Sequence, residues 1–247
     1  TVEGMEVQPD DRLLAQVSMM DWGIHGTYEL DVDYIKVDVV DTRKAGPDKG
    51  NAVRYRPPLA NPASFAISIE AAKDVSIDSS FPELNLHEWL ENGEKTLPVD
   101  ATKTILLGWD FNDLKGQKVN GEGQLEIYTY RLARLKENPK DFGEVRISEI
   151  IAGEKNWKET TVTYQNLLQG RPYHEVINEQ TIVDTPMAEK KGGKIVVTLS
   201  QPVLQRLVDG TTFGLAIRPL GLIDAALIDK STEDGKYAAR IRMNISP

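Results

Sequence analysis

The sequence predicts an all-β protein, an antiparallel β-sandwich of the jelly-roll type with one or two short helices. Three observations predict it. Nine segments alternate apolar and polar residues with period two, the spacing that turns one face of a strand inward. Turn residues punctuate the chain at Gly46-Pro47, Lys49-Gly50-Asn51, Asn92-Gly93, Asn120-Gly121-Glu122-Gly123, Gly192-Gly193 and Asp234-Gly235. No regular alternation of strand and helix is present, which argues against a parallel α/β sheet.

The predicted strands are Tyr34–Val40, Ser64–Ile69, Thr104–Asp110, Gln124–Leu132, Glu144–Ile150, Thr160–Tyr164, Lys194–Leu199, Thr212–Ile217 and Ala238–Ile245. Each is rich in β-branched or aromatic residues and closes on turn residues. Leu125, Ile127, Val162 and Leu215 are expected in the core. Pro202–Val208 reads as a short helix, because Ser200 precedes it, Pro202 stands early and Asp209-Gly210 ends it. Leu84–Glu91 reads as a second, ending at Asn92-Gly93. Residues 1–247 are expected to form a single β-sandwich, less regular over 1–100 than over 101–247. Thr96–Asp100 is the best candidate seam.

The chain has 247 residues, enough to bury a core without disulfides. Its net charge is −9, and it has no run of five Lys or Arg, so no nucleic-acid partner is expected. With no cysteine, a disulfide framework and a cysteine-ligated zinc site are excluded. No apolar run is long enough for a spanning helix, so membrane insertion is not expected. The chain begins at Thr1 rather than Met, which leads to the expectation of a removed leader or upstream domain.

Catalytic motifs are missing from the sequence. His25, His87 and His174 are far apart, and there is neither a G-x-S-x-G elbow nor a phosphate-binding glycine loop. Loop carboxylates Asp21, Asp31 and Asp110 are candidate ligands for a structural calcium, which takes oxygen donors from loops. A paired-carboxylate glycosidase leaves no sequence signature.

Sugar binding needs an exposed aromatic ring beside hydrogen-bonding side chains, because the ring meets the apolar C–H face of a pyranose. Trp22, with His25 and Tyr28 close by, is one such candidate. Arg54, Tyr55 and Arg56 before the Pro57-Pro58 loop are the other. Trp109 and Trp157 are expected to be mostly structural.

Three segments carry a family likeness. Gly108–Lys115 (GWDFNDLK) and Gln124–Tyr128 (QLEIY) come first, then Asn156–Asn166 (NWKETTVTYQN), then Thr212–Arg218 (TFGLAIR). In this order they resemble the DNRLRE-type carbohydrate-binding modules over residues 101–247. The arginine of that family's S-R-E signature is missing, since Lys230–Glu233 reads KSTE here. The resemblance implies a jelly roll on a secreted or cell-surface, multidomain protein that binds a polysaccharide without catalysis. Its alternatives are a structural β-sandwich of an extracellular assembly, without glycan affinity, and a polysaccharide lyase or hydrolase.

Overall fold

The computed structural model describes residues 65–136, 143–178 and 182–246. Predicted strand Tyr34–Val40 and residue Ser64 lie outside them. The first strands are β1 (Ile67–Glu70), β2 (Lys73–Asp78), β3 (Leu90–Glu91), β4 (Glu94–Val99) and β5 (Lys103–Gly108). A 3-10 turn at Asn112–Leu114 leads to β6 (Lys118–Val119), the long β7 (Gly123–Arg134) and β8 (Glu144–Glu149). Two short helices follow, α1 (Tyr164–Leu168) and α2 (Tyr173–Val176), then β9 (Val183–Pro186) and β10 (Lys194–Leu199). The chain continues through α3 (Gln201–Val208), β11 (Leu215–Pro219), β12 (Ile223–Ile228), β13 (Arg240–Met243) and β14 (Ile245–Ser246).

Among the described residues all strand pairings are antiparallel, as expected. One large sheet runs β1-β13-β7-β12-β4-β3, with β10 also on β7, a second runs β2-β5-β11-β8-β9, and β14 pairs with β6 in a small two-stranded sheet. Their facing side chains make one apolar cluster. Leu97, Val99, Leu125, Ile127, Val197, Leu227 and Ile241 come from the first sheet, and Ile105, Leu107, Val145, Ile147, Leu215 and Ile217 from the second. This shared core makes the two sheets a sandwich. β7 bulges opposite the Ala226–Leu227 step, where the register jumps from Arg131 to Thr129. The extra residue resets the alternation, so Leu132 packs on the core as Leu125 and Ile127 do.

The second sheet is apolar on its outer face as well. Val75, Ile77, Leu106 and Ala216 point there, and residues 150–178 cover them with Ile150, Trp157, Val162, Leu167, Val176 and Ile177. The period-two pattern of burial is therefore lost in β2 and β5, which are buried on both faces, while β8 keeps it over Glu144–Ile147.

Four expectations need correction. Thr160–Tyr164 is a turn running into α1. Thr163 Oγ1 accepts from Asn166 N, and Asn166 Oδ1 accepts from Thr163 N, a capping box that starts a helix where alternation suggested a strand. Val162 is buried as expected, but in a loop. Leu84–Glu91 is not a helix. Asn92 and Gly93 both have positive φ, 52° and 82°, and form the two-residue turn of a hairpin that pairs Glu91 with Glu94. Thr96–Asp100 is no seam, because most of it lies in β4 with Leu97 and Val99 in the core. Finally, β11 begins at Leu215 rather than Thr212. Pro202–Val208 was sound as a helix, and α3 extends it by one residue.

β2 went unpredicted because it reads as a charged loop, yet Asp74, Ser76 and Asp78 are buried. Asp74 Oδ2 accepts from Lys230 N at 2.7 Å, while its Oδ1 has no hydrogen bond. Burial, then the nearby charge of Asp229, pushes Asp74 up to about 8, against the opposing pull of Lys230.

Two predictions follow from this packing. Leu125→Ala removes a fully buried side chain and should cost about 2–5 kcal/mol in denaturant unfolding. For Asp74 the folded carboxyl holds its proton more tightly than the unfolded one, which ionises near pH ~3.9. Its contribution is full below that value and is lost as pH rises through about 8. Melting temperature should therefore fall between those limits, and Asp74→Asn should flatten the fall.

Candidate functional site

An open cleft of about 520 Å³ lies where β5 ends and β11 begins. Four stretches build it. Lys73 opens β2, Trp109–Phe111 leave β5, Lys155 and Asn156 belong to the covering segment, and Asp209–Gly214 link α3 to β11. The last stretch is held close by Gly214. Its φ is 128°, and a Cβ there would sit 2.3 Å from Leu107 O, so only glycine lets this loop approach β5.

Trp157 joins two of these walls from beneath. Its indole is buried and donates from Nε1 to Phe213 O at 3.0 Å. The Lys73 ammonium lies 3.9 Å from its ring centroid and donates to Trp157 O at 2.8 Å. Burial lowers the Lys73 pKa, and the nearby Glu154 and Glu159 oppose that shift.

The cleft surface combines rings with free polar groups. Trp109 and Phe213 are half-buried and line it, with Lys155 Nζ 5.2 Å from the Phe213 ring centroid. Trp109 Nε1 and Thr212 Oγ1 are buried there without a hydrogen-bond partner. Asn112 and Asn156 are exposed on the rim, and neither side-chain amide has a partner among the described residues. Asp110 Oδ1 accepts from Asn112 N, and Asp209 Oδ1 accepts from Gln205 Nε2, so both acids are oriented. Rings flanked by unpaired donors and acceptors suit a polyhydroxylated ligand.

Of the residues singled out in the sequence, Asp110 is on this rim, exposed. Trp22, His25, Tyr28, Arg54, Tyr55, Arg56, Asp21 and Asp31 lie outside the described residues. Among the described residues no three His, Asp or Glu side chains are grouped to hold a metal ion. Trp109, expected to be structural, packs on the core and also lines the cleft. Asn112, Lys155, Asn156 and Phe213 were not singled out. Three of these sit inside the family-like segments, which was the available signal.

No protein-family model matches this chain, and no curated protein gives a match to it. Among the described residues no helix is long and apolar enough to cross a membrane.

The indole of Trp157 generates a prediction. Trp157→Phe loses the bond to Phe213 O and leaves a small void, and should cost about 1–3 kcal/mol in thermal or denaturant unfolding. Amide exchange should rise in residues 209–214.

Proposed function

We propose that this chain is a non-catalytic carbohydrate-binding module that directs a secreted or cell-surface, multidomain protein to a polysaccharide. One observation carries the reading. The three segments that resemble DNRLRE-type modules contribute Trp109, Asn156 and Phe213 to the same cleft, although they are far apart in sequence. A sugar ring placed there meets two aromatic side chains, Trp109 and Phe213, while its hydroxyls meet Asn112, Asn156 and Lys115.

Affinity should be modest, with Kd about 10 μM to 1 mM, because each hydroxyl exchanges water for protein at little net gain. A second reading, a structural sandwich of an extracellular assembly, draws on the exposed apolar side chains Phe81, Leu84 and Leu90. The two separate in a polysaccharide panel run by affinity electrophoresis.

Binding should retard the wild type and change tryptophan fluorescence, with the change lost in Trp109→Phe. Lys155→Ala and Asn156→Ala should each weaken binding several-fold, about 1 kcal/mol, at unchanged melting temperature. No reducing ends should be released from the bound polysaccharide. Equal retardation of wild type and both variants would remove the cleft from the proposal, and no retardation by any polysaccharide would leave the structural reading.

A further inference from the structure

A second pocket, of about 350 Å³, shares no residue with the cleft. The register of the five-stranded sheet sets its floor. On the outer face, Arg218 of β11 stands opposite Arg146 of β8, and Arg146 stands opposite Asp184 of β9. On the other side Ile217 pairs with Ile105, so the next residues, Arg218 and Thr104, are neighbours on β11 and β5.

Within that row Arg146 is closed. Its Nε and Nη2 donate to the two Asp184 carboxylate oxygens, each at 2.8 Å. Arg206 grips Glu149 in the same two-point way, with both bonds at 2.8 Å. Arg131, Arg134, Arg240 and Arg242 also have carboxylates at ion-pair distance. Arg218 has none. Arg218 is half-buried in the pocket, and its guanidinium makes no hydrogen bond or ion pair among the described residues. Arg171 is likewise unpaired, but it is exposed to water.

The acid in this pocket does not compensate Arg218. Asp100 Oδ2 accepts from Lys103 Nζ at 2.8 Å, and its Oδ1 accepts from Thr102 N, Thr102 Oγ1 and Lys103 N. Burial works to raise the Asp100 pKa, but these bonds outweigh it and hold the carboxyl below its ordinary value. Asp100 is thus ionised and tied to Lys103, whose ammonium also lies 3.6 Å from Asp78, and neither acid lies at ion-pair distance from Arg218.

Two rings line the same pocket. Tyr164 opens α1 and Tyr173 opens α2, with planes 11° apart and centroids 6.2 Å apart. The Tyr173 hydroxyl lies 3.3 Å from Thr104 Oγ1. Burial raises the Tyr173 pKa, against the pull of Thr104 and Arg218, so the hydroxyl stays neutral and can donate. The pocket therefore offers a planar two-point donor, a phenolic hydroxyl and aromatic surface side by side.

We propose that this pocket is a second binding site, one that takes a carboxylate carried on a pyranose ring, that is, a uronic-acid unit. Arg218 holds the carboxylate through two parallel N–H···O bonds, as Arg146 and Arg206 hold theirs. Tyr164 and Tyr173 take the apolar face of the ring. A neutral sugar leaves the guanidinium without its partner, so the site discriminates by charge and by the planar shape of the group.

The test is calorimetric titration of the full chain at low salt with three probes. They are a galacturonate tetrasaccharide, its methyl ester, and a sulfated tetrasaccharide of galactose. The acid should bind, and the ester, which keeps the ring but loses the charge, should bind at least about tenfold more weakly. Arg218→Gln should lower affinity for the acid about tenfold or more at unchanged melting temperature, and Arg218→Lys, which keeps the charge without the fork, should fall between. Tyr164→Ala should weaken the acid several-fold. Lys155→Ala and Asn156→Ala should leave the acid-over-ester preference as in the wild type, while Arg218→Gln removes it, so failure of this site and failure of the cleft are separate results. The proposal is overturned if the acid does not bind, if acid and ester bind alike, if the sulfated probe matches the acid, or if Arg218→Gln binds the acid as the wild type does.

Discussion

Trp157 is the contact on which the rest depends. The second sheet has two apolar faces, and the facing sheet can cover only one of them. Residues 150–178 must cover the other, yet they carry only nine helical residues and a single bridge, Ile150 to Ile177. Backbone hydrogen bonding alone holds such a segment poorly. The buried indole supplies the anchor through its area, its bond to Phe213 O and the Lys73 ammonium against its face. Burying a Trp side chain stabilises by several kcal/mol, on the scale that its removal costs.

Both pockets sit on this covering segment. Its beginning gives Lys155 and Asn156 to the cleft, and its middle gives Tyr164 and Tyr173 to the pocket over Arg218. Because Trp157 lies between those stretches, its seating sets the geometry of each. The sheet supplies the rigid partner in each case, Gly214 and Trp109 on one side and Arg218 and Thr104 on the other. Binding groups held on loops but braced by strands keep their spacing without a large ordering cost.

The sandwich was legible where apolar and polar residues alternate along the chain. Lys194–Leu199 and Gln124–Leu132 alternate cleanly, and β10 and β7 include them whole. Legibility failed where burial on both sides leaves an unbroken apolar run, or where a strand reads as a charged loop. Ile223–Ile228 is mostly buried along its length, so no alternation survives. Lys73–Asp78 buries two aspartates, a cost no propensity scale anticipates. Thr160–Tyr164 has strand propensity, but the local Thr163–Asn166 bonds overrode it. The cleft was legible only as motif likeness, because Trp109, Asn156 and Phe213 meet through long-range pairing that spacing cannot reveal. Arg218 was invisible for the same reason, since an unpaired arginine is recognised only once every possible partner has a place.

The outer margin of β2 carries one more consequence. Its Asp74 N–H is taken by a side chain, Glu159 Oε2 at 3.0 Å, rather than left open along the strand. At the far side of the same sheet, β9 is four residues long and ends in Pro186, which has no N–H to offer. Unpaired strand margins are templates on which a second copy can extend a sheet and aggregate. Here both margins of the five-stranded sheet are blunted. A second copy would therefore find little open backbone at the margins of this sheet on which to add a strand of its own.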